Sequence, residues 1–429
     1  MIGTLFGSML VFLVLGVPIA VTLGMASVVT ITQISSVSFT AMITKMFSGV
    51  DSFPIMAVPL FLLAGNLMDA GGISTSLVKF ANELVGHIKA GLAMVAVLAS
   101  MLFAGISGSG AADTAAVGSI LIPAMRKQGY EDRFSTALVA AAGAIGPVIP
   151  PSSITVVLGV CCSISVGGLF VGGVVPGILI GVALMILAQF FVRSGRVPIE
   201  EPKTKFSFVS LFKAFLQALP ALGAPIIIMG GILGGIFTAT EAASVCVFYS
   251  LIVGMFFYKQ LTWKGAWKCT VDAVSSTAMV LLIIATASSF AWIISVANLP
   301  TTIASGIMGF ASSKWIFLLC INILFLIVGG FMESIAATLV LCPVLLPVAI
   351  AFGVEPLHFG IIIAVNLAIG MVTPPYGITL FTACTVSGRT VKEVTPFVLP
   401  MVGAMIAVLL IITYCPKVAL FLPHLFGYI

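Results

Sequence analysis

The chain has 429 residues, of which 61% are hydrophobic and only 7% are charged, and its formal net charge at pH 7 is +5. Soluble domains carry about 25% charged residues, so this composition excludes a water-soluble fold and predicts an all-α polytopic membrane protein. The small basic excess is typical of loop lysines and arginines and does not indicate nucleic-acid binding. The eight cysteines and three histidines lack ligand spacing, which supports neither a disulfide framework nor a buried metal centre.

Apolar runs of about 20 residues predict membrane helices along the chain. In chain order they are 2–25, 27–47, 53–77, 134–163, 167–193, 219–237, 240–258, 272–297, 358–387 and 395–416. Two further apolar blocks, 90–125 and 314–351, are too long for one helix, and each has a Gly/Ser-rich interruption near its middle. No Lys or Arg precedes Lys45, so the first segment is expected to be a retained membrane helix and not a cleaved signal peptide.

An internal repeat organises the chain. Residues 105–177 align with residues 329–401 without a gap when the sequence is shifted by 224 positions. Glycines and prolines coincide in this alignment, which apolar composition alone would not produce: Gly129 with Gly353, Gly146 with Gly370, Pro123 with Pro347, Pro150-Pro151 with Pro374-Pro375, and Pro176 with Pro400. The predicted organisation is a first repeat at 1–193, a charged cytoplasmic linker with a short interfacial helix at 194–218, and a second repeat at 219–429.

Loop charge predicts that the two repeats are inverted in the membrane. The loop RKQGYEDR (126–133) has three basic residues, whereas the equivalent IAFGVEPL (350–357) has none. Lys and Arg favour the cytoplasmic side of a membrane, so the two loops are expected on opposite sides. Each repeat then contains five crossing helices and one block that enters and leaves on the same side as a hairpin.

Each repeat pairs its hairpin with a broken helix. The first hairpin (90–125) turns at GISGSGAAD (105–113), and the first broken helix (134–163) is interrupted at GPVIPPSS (146–153). In the second repeat, the hairpin (314–351) turns at GGFMES (329–334) and the broken helix (358–387) is interrupted at GMVTPPYG (370–377). Broken helices expose backbone groups that hydrocarbon cannot satisfy, and inverted repeats built on them are typical of transporters. We therefore predict one cation site at each tip and break, with a substrate between them.

Two carboxylates, Asp113 and Glu333, lie at or just after the predicted hairpin tips. An intramembrane carboxylate is costly and needs a partner, so both are candidate site residues. Glu241 and Asp69 lie near predicted helix ends, which favours a structural role. A single Pro-Pro kink or Gly/Ser turn would suit helix packing equally well, but two copies in register favour a ligand site.

Two other classes of protein, an intramembrane protease and a channel, fit the sequence less well than a transporter. GISG at 105–108 fits the GxSG motif of intramembrane serine proteases, but none of His87, His358 and His424 is expected within reach of Ser107. A channel could use inverted half-helices, yet no ring-like filter sequence is present, and four broken elements suit alternating access better.

The motifs GISGSGAADTAAVGSILIPAM, GAIGPVIPPS, PVLLPVA and GMVTPPYG resemble the large membrane subunit of TRAP transporters (tripartite ATP-independent periplasmic transporters) essentially from end to end. The resemblance implies a multi-pass secondary active transporter of the bacterial inner membrane, not an enzyme, coupled to Na⁺ and without an organic cofactor. It implies an elevator-type fold, in which scaffold helices at about 1–77 and 219–258 stay fixed while hairpins and broken helices move.

The same resemblance implies two protein partners and a substrate class. The partners are a small four-helix membrane subunit, expected as a separate polypeptide, and a periplasmic substrate-binding protein. The substrate is an organic acid, either sialic acid or a C4-dicarboxylate. An ion-coupled carboxylate transporter that works without a binding protein remains the alternative.

Carried over by motif, the resemblance also implies three sets of ligands. The first sodium site comprises Ser107, Ser109, Gly110, Gly146, Val148, Ile149 and Pro150. The second sodium site comprises Gly329, Gly370, Thr373 and Pro374. The substrate contacts Ser107, Asp113, Ser152, Ser153 and Glu333. Most ligands are expected to be backbone carbonyls.

Overall fold

The structure, a computed structural model, describes residues 2–33, 38–197, 199, 206–296 and 313–429. Within these ranges the regular elements are all helical, and seven helices are long and apolar enough to cross a membrane. The prediction of an all-α polytopic membrane fold is therefore confirmed. Residues 34–37 of the predicted span 27–47, residues 198 and 200–205 of the predicted linker, and the last residue of the predicted span 272–297 lie outside the described residues.

The described α-helices of the first half are of short or moderate length, except the last, which has 28 residues. They are α1 (Ile2–Val14), α2 (Ile19–Ile31), α3 (Phe39–Val50), α4 (Ala57–Ala70), α5 (Ile73–Val85), α6 (Gly91–Ser107), α7 (Gly110–Lys127), α8 (Asp132–Gly143), α9 (Ser153–Cys161) and α10 (Val166–Arg193). In the second half they are α11 (Phe208–Leu233), α12 (Ala239–Ile252), α13 (Trp263–Val296), α14 (Lys314–Gly329), α15 (Ser334–Ala351), α16 (Pro356–Gly370), α17 (Ile378–Ser387), α18 (Val391–Tyr414) and α19 (Pro416–Leu425).

The first predicted span, 2–25, is wrong, because two short helices take the place of one long helix. Gly16 adopts a left-handed backbone with φ of +77°, and Pro18 follows it, so the chain turns between α1 and α2. The Thr4 hydroxyl donates to Gln33 Oε1 at 2.8 Å, which brings the start of α1 to the end of α2. The pair is therefore an antiparallel hairpin.

Three further boundaries differ from the predictions. The span 27–47 is replaced by the end of α2 and by α3, which Ser38 caps. The span 53–77 divides at Gly71 and Gly72, where φ of Gly72 is +79°, into α4 and a separate helix, α5. Residues 208–218 do not form a separate interfacial helix, because α11 continues from Phe208 through Pro220 and Pro225 to Leu233. Two tyrosine hydroxyls bond the carbonyls of Gln217 and Pro220 in this proline-containing stretch.

The helices that correspond in the repeat have matching bounds. Shifted by 224 positions, α7 coincides with α15 at both ends, and α8 and α9 correspond to α16 and α17. Ser109 and Glu333, which are equivalent in the repeat, both cap the second helix of their hairpin. The peptides Pro150-Pro151 and Pro374-Pro375 are both cis. The two copies therefore share their local backbone as well as their glycines and prolines.

The two repeats interlock at the centre of the molecule. Helix α7 of the first hairpin packs against α17 of the second broken helix, and α15 of the second hairpin packs against α9 of the first. Helix α13 packs against α2, α3 and α4, while α4 also packs against α12. As a result, both tips and both breaks lie in one packed unit, and α4, α11 and α13 flank it.

Candidate functional site

The first hairpin turns within two residues. Ser107 ends α6, Gly108 adopts a left-handed backbone with φ of +61°, and Ser109 caps α7 by accepting a hydrogen bond from the Ala112 amide. A Cβ at Gly108 would collide with the carbonyl of Pro151, so only glycine allows this tip to approach the first break. The amide of Ser109 donates to the Ser107 hydroxyl at 3.1 Å, which fixes that side chain inside the turn.

Asp113 is the buried charge of this tip. Its side chain has no exposed surface, and the Ser107 hydroxyl donates to its Oδ1. Oδ2 lies against Gly146 in the first break and has no hydrogen-bond partner among the described residues. A buried carboxylate oxygen without a donor is costly unless a cation or a water meets it. Asp113 therefore lies beside Gly146, a residue predicted for the first sodium site, whereas the sequence predicted it as a substrate contact.

The first break meets the tip through glycines. Gly110 opens α7 beside the carbonyl of Gly143, and a Cβ at Gly110 would lie 3.1 Å from that oxygen. Beyond Gly146, the carbonyl of Val148 faces Gly173 of α10, and the Ile149 side chain packs on Gly177 of the same helix. Hence Gly110 of the tip and Gly146 of the break lie against each other, while the Val148 carbonyl and the Ile149 side chain are directed to α10.

The other predicted residues of the first break are Pro150, Ser152 and Ser153, which differ in burial and in hydrogen bonding. The Ser152 hydroxyl donates to the carbonyl of Pro147 at 2.6 Å and accepts from the Thr155 amide, so it caps α9 and is fully buried. Ser153 is the first residue of α9 and is half-buried. The carbonyl of Pro150 lies near Gly105, 3.9 Å from the position of a Cβ there.

The second tip and break come together in the same way. Gly329 ends α14 directly against Gly370, which ends α16, and neither position has room for a side chain. The Thr373 hydroxyl donates to the carbonyl of Ile369 at 2.7 Å, which leaves its lone pairs available. Pro374 follows in the partly exposed turn. All four residues predicted for the second sodium site thus lie in one tip-and-break unit.

Glu333 differs from Asp113 in its environment. Its carboxylate accepts a hydrogen bond from the Ala336 amide at 2.9 Å and so caps α15, and the residue is exposed. An exposed aromatic group lies nearby, since the rings of Phe331 and Tyr376 are 6.2 Å apart and the side chain of Tyr376 is 63% exposed. The second tip and break therefore open outward on one side, whereas the first tip is buried.

Several buried polar groups were missed in the sequence. Asn366 donates to Asn322 Oδ1 at 2.8 Å, and Asn322 donates to the Thr413 hydroxyl at 3.0 Å, which links α16, α14 and α18. Oδ1 of Asn366 and the hydroxyl of Ser334 are buried without a partner among the described residues. An amide inside an apolar helix, as in VNLAIG (365–370), is the signal that could have identified this network.

The chemistry of the two units suits a hard monovalent cation. Among the described residues, no group of three His, Cys, Asp or Glu side chains converges as a metal site. The available ligands are carbonyls, hydroxyls and the single carboxylate of Asp113. Oxygen donors with little formal charge suit weakly charged hard ions better than transition metals.

The helices around the two units favour an anion. Helices α7, α9, α15 and α17 all begin at a tip or a break, at Gly110, Ser153, Ser334 and Ile378. A helix N-terminus carries a partial positive charge of about half an elementary charge. Glu333 already offers its carboxylate to the start of α15, and Asp113 lies in the first turn of α7, so the N-termini of α9 and α17 are the better candidates for an anionic ligand.

A peptidase site at Ser107 gains no support from the structure. The Ser107 hydroxyl donates to Asp113, not to a histidine, and His358 Nε2 is bonded to the carbonyl of Ile412 at 2.9 Å. His87 lies against Phe206, and His424 lies in the last turn of α19.

A charged cluster joins the two repeats outside the membrane-spanning segments. Asp132, at the start of α8, accepts from Arg126 Nε at 2.6 Å and from Arg389 at 2.8 Å. Partial burial raises the pKa of Asp132, but the hydrogen bonds and charges of the two guanidinium groups outweigh it, so the pKa lies below its ordinary value of 3.8. Because Arg389 belongs to the second repeat, this carboxylate ties the loop after α7 to the loop after α17.

Paired hairpin tips and broken helices inside an apolar helical frame place the chain among membrane transport proteins. Its family follows from its sequence. The chain belongs to the family described as "Tripartite ATP-independent periplasmic transporter, DctM component", which matches residues 6–418. The resemblance to the TRAP large membrane subunit is thus confirmed.

Relatives of known description cover nearly the whole chain. The isethionate TRAP transporter permease protein DctMQ of Oleidesulfovibrio alaskensis is 45% identical over 97% of this chain, which spans 65% of that longer protein. The C4-dicarboxylate TRAP transporter large permease protein DctM of Pseudomonas aeruginosa is 40% identical over 94% of each of the two chains. The sialic acid TRAP transporter large permease protein SiaM of Vibrio cholerae is 38% identical over 100% of both chains.

A solved structure shares the fold. The Alcanivorax borkumensis YdaH transporter, described as having an unusual topology, superposes with a TM-score of 0.60 over 86% of each chain. Its sequence identity to this chain is only 15%, so the likeness concerns the fold alone.

Proposed function

We propose that this chain is the large membrane subunit of a sodium-coupled, tripartite secondary transporter that imports a small organic anion across the bacterial inner membrane. The observation that carries sodium coupling is Asp113, a fully buried carboxylate whose Oδ2 lacks a donor and lies against Gly146. Na⁺ would supply the positive charge that this oxygen lacks. Ser107, Gly110, Asp113 and Gly146 would hold it at the first site.

The second sodium site would be formed without a carboxylate. Thr373 with free lone pairs and the carbonyls at the contact of Gly329 with Gly370 are its candidate ligands. The Ser334 hydroxyl, buried and without a partner among the described residues, is a further candidate at this tip. In the repeat, the position of Asp113 is taken by Ala337, so the two sites differ in charge.

The substrate would lie between the two units and carry a negative charge. The N-termini of α9 and α17, which begin at the two breaks and have no acid in their first turn, favour an anion there. The named relatives transport isethionate, C4-dicarboxylates or sialic acid. The sequence alone favoured a carboxylic acid, and the isethionate relative widens the proposed class to sulfonates.

The chain would work with two partners, a small four-helix membrane subunit and a periplasmic substrate-binding protein. The family description and the relatives named as large permease proteins support this proposal. The alternative, an ion-coupled carboxylate transporter without a binding protein, predicts uptake by the membrane part alone.

An elevator movement would carry the bound ligands across the membrane. The interlocked tips and breaks would move together as one body, and α4, α11 and α13 would belong to the fixed scaffold. Close contacts between small residues support this, because Gly65 of α4 lies against Ser107 and Gly105 lies against Pro225 of α11. Small contact residues allow two helical surfaces to slide with little loss of packing.

Uptake by reconstituted vesicles tests the substrate and the partners together. The large subunit is inserted with its small subunit, and radiolabelled isethionate, succinate or sialic acid is offered with and without the binding protein. We expect uptake of one of these anions, and only with the binding protein present. Equal uptake without that protein would support the two-component alternative, and binding of none of them by the cognate binding protein would overturn the proposed substrate class.

A further inference from the structure

A groove of about 640 Å³ lies between α6 and α10, away from the tips and breaks. It is lined by one stripe of α10 and one residue of α6: Met94, Val182, Met185, Ile186, Gln189, Phe190, Arg193 and Ser194. Residues 182, 185, 186, 189, 190 and 193 recur every three or four positions, so they share a face of the helix. The groove therefore runs along one face of α10.

Packing between the two helices determines where the groove begins. Gly181 of α10 lies directly against the side chain of Met101 in α6, and a Cβ at Gly181 would collide with the Met101 sulfur. Met94 and Arg193, which line the groove, are two turns of α6 and three turns of α10 away from this contact. Basic loops next to this end place its mouth at the cytoplasmic leaflet.

The groove is apolar in its inner part and basic at its mouth, which matches the acyl chain and the anionic headgroup of a phospholipid. Its inner part is apolar, and Ile186 and Phe190 are 66% and 58% exposed on the outer wall. Its mouth carries Arg193 and Ser194, which are exposed at the end of α10. No acid among the described residues forms a salt bridge with Arg193. A guanidinium binds a phosphate with two parallel hydrogen bonds.

One buried polar atom in the wall of the groove also lacks a partner. Oε1 of Gln189 is buried and accepts no hydrogen bond within the described part of the chain. It lies one turn before Arg193 on the same face of α10, between the apolar stripe and the basic mouth. A buried amide oxygen without a donor is costly, and rotation of the Gln189 side chain toward the groove would bring this oxygen to a headgroup hydroxyl.

We propose that this groove binds one anionic phospholipid of the cytoplasmic leaflet, such as phosphatidylglycerol. An acyl chain lies along Val182, Met185 and Ile186 against Met94, and the phosphate pairs with Arg193. A glycerol hydroxyl donates to Gln189 Oε1. The positive charge comes from the guanidinium and not from the helix, because a helix C-terminus is the negative end of its dipole.

Lipid titration of the purified full-length protein tests the site. Dioleoyl-phosphatidylglycerol and, as a neutral probe, dioleoyl-phosphatidylcholine are added in detergent, and bound lipid is counted by native mass spectrometry. The control for Arg193→Gln is Arg196→Gln, whose guanidinium lies 5.7 Å from the Phe191 ring and does not line the groove. We expect Arg193→Gln to weaken phosphatidylglycerol binding about five- to tenfold, the loss of one cation near an anionic headgroup, and Arg196→Gln to leave it within about twofold.

A second variant addresses the headgroup hydroxyl. Gln189→Leu is expected to weaken binding of phosphatidylglycerol and to leave that of phosphatidylcholine, which has no hydroxyl donor, unchanged. Equal losses in the two arginine variants, or equal binding of the two lipids by the unmodified protein, would overturn the proposal in favour of general surface attraction. Displacement of the lipid by millimolar inorganic phosphate would overturn it in favour of a free-phosphate site.

Discussion

At the scale of single residues, two carboxylates near equivalent tips have different tasks. Glu333 is exposed and caps α15 through the Ala336 amide, whereas Asp113 is fully buried and its Oδ2 lies unpartnered against Gly146. The repeat explains the difference, since Glu333 corresponds to the cap Ser109 and not to Asp113. Only the first unit therefore combines a carboxylate with the open carbonyls of a break.

This contrast gives a matched pair of substitutions. Asp113→Asn removes the charge that would face Na⁺ and is expected to raise the Na⁺ concentration for half-maximal uptake about tenfold or more, the loss expected for one partly desolvated charge contact. Glu333→Gln is expected to leave that concentration within about twofold and to lower the free energy of unfolding by about 1 kcal/mol, because it weakens a helix cap. Uptake as a function of Na⁺, together with thermal denaturation, separates the two. An unchanged Na⁺ dependence in Asp113→Asn would contradict the site assignment.

The Asp132 cluster gives a prediction about pH. The folded-state pKa of Asp132 is below its ordinary value because of Arg126 and Arg389. Its contribution to stability is therefore present above the ordinary pKa of the carboxyl group and is lost as the pH falls through the folded-state value. At neutral pH, Asp132→Asn is expected to lower the free energy of unfolding by about 1 kcal/mol, and the difference from the unmodified protein should vanish in strong acid.

The neighbouring Glu131 supplies the control for this experiment. Glu131 pairs with Arg133 and is 28% exposed, whereas Asp132 pairs with two arginines and is 14% exposed; more exposed single pairs contribute little. Thermal denaturation of Glu131→Gln should match that of the unmodified protein at every pH. An equal effect of both substitutions would show that the cluster acts only through net charge.

At the scale of elements, glycines decide how the hairpins meet the breaks. Gly108, Gly146, Gly329 and Gly370 each lie where a Cβ would strike a neighbouring element. Prolines end α8 and α16 nearby, and the freed backbone groups lie between a tip and a break. Each candidate site is therefore formed by two elements together. Neither a hairpin tip nor a broken helix would form it alone.

Gly370 and Gly403 test this close approach. Gly370→Ala places a methyl group against the Gly329 backbone and is expected to lower the free energy of unfolding by about 1–3 kcal/mol through overpacking and to reduce uptake. Gly403, in α18, has no atom within 4 Å of a Cβ position, so Gly403→Ala should be neutral or stabilising by up to about 1 kcal/mol. Thermal denaturation measures both, and equal stability of the two variants would contradict the packing described here.

At the scale of the whole molecule, the two repeats do not pack as separate halves, because each hairpin packs against the broken helix of the other repeat. The pairs α7 with α17 and α15 with α9 cross from one repeat to the other, and Arg389 joins them at one end. A body tied in this way can move as a unit, as an elevator requires. Its contact with α4 occurs where Gly65 meets Ser107.

Enlarging that contact should stop movement without preventing ion binding. Gly65→Leu is expected to reduce uptake about tenfold or more, because overpacking by about 1–3 kcal/mol favours one position of the moving body over the others. The rise in melting temperature caused by Na⁺ should persist, since Gly65 faces the backbone and Cβ of Ser107, and the Ser107 hydroxyl stays bonded to Asp113. Loss of that rise together with uptake would indicate damage to the site itself, and unchanged uptake would argue against an elevator.

Parts of this architecture could be predicted because glycine and proline carry strong local information. The hairpin turns and breaks were located from Gly108, Gly146 and the Pro-Pro pairs, and the repeat gave their correspondence. The turn between α1 and α2 was missed although its residues, LGVP, include Gly16 and Pro18, because they lie within a continuous apolar run and have no counterpart in the aligned part of the repeat. The exchange of α7 and α15 between repeats depends on long-range packing, which a pattern along one chain does not contain.

At the residue level, the same limit applies to Asp113 and Asn366. Both are visible as polar residues in apolar surroundings, but their partners, Gly146 and Asn322, lie 33 and 44 positions away along the chain. The sequence could mark Asp113 as a candidate, and it could not tell a cation ligand from a substrate ligand. The unpartnered Oδ2 beside the break is the observation that supports our proposal of a cation ligand.

The most direct test of the account is concentrative uptake driven by sodium alone. Vesicles with the complete three-part system, loaded without Na⁺, receive the cognate anion and binding protein with either Na⁺ or K⁺ outside. The account predicts accumulation of the anion above its external concentration with Na⁺ and not with K⁺, and loss of this accumulation in Asp113→Asn. Uptake that never exceeds equilibrium under an inward Na⁺ gradient would contradict it.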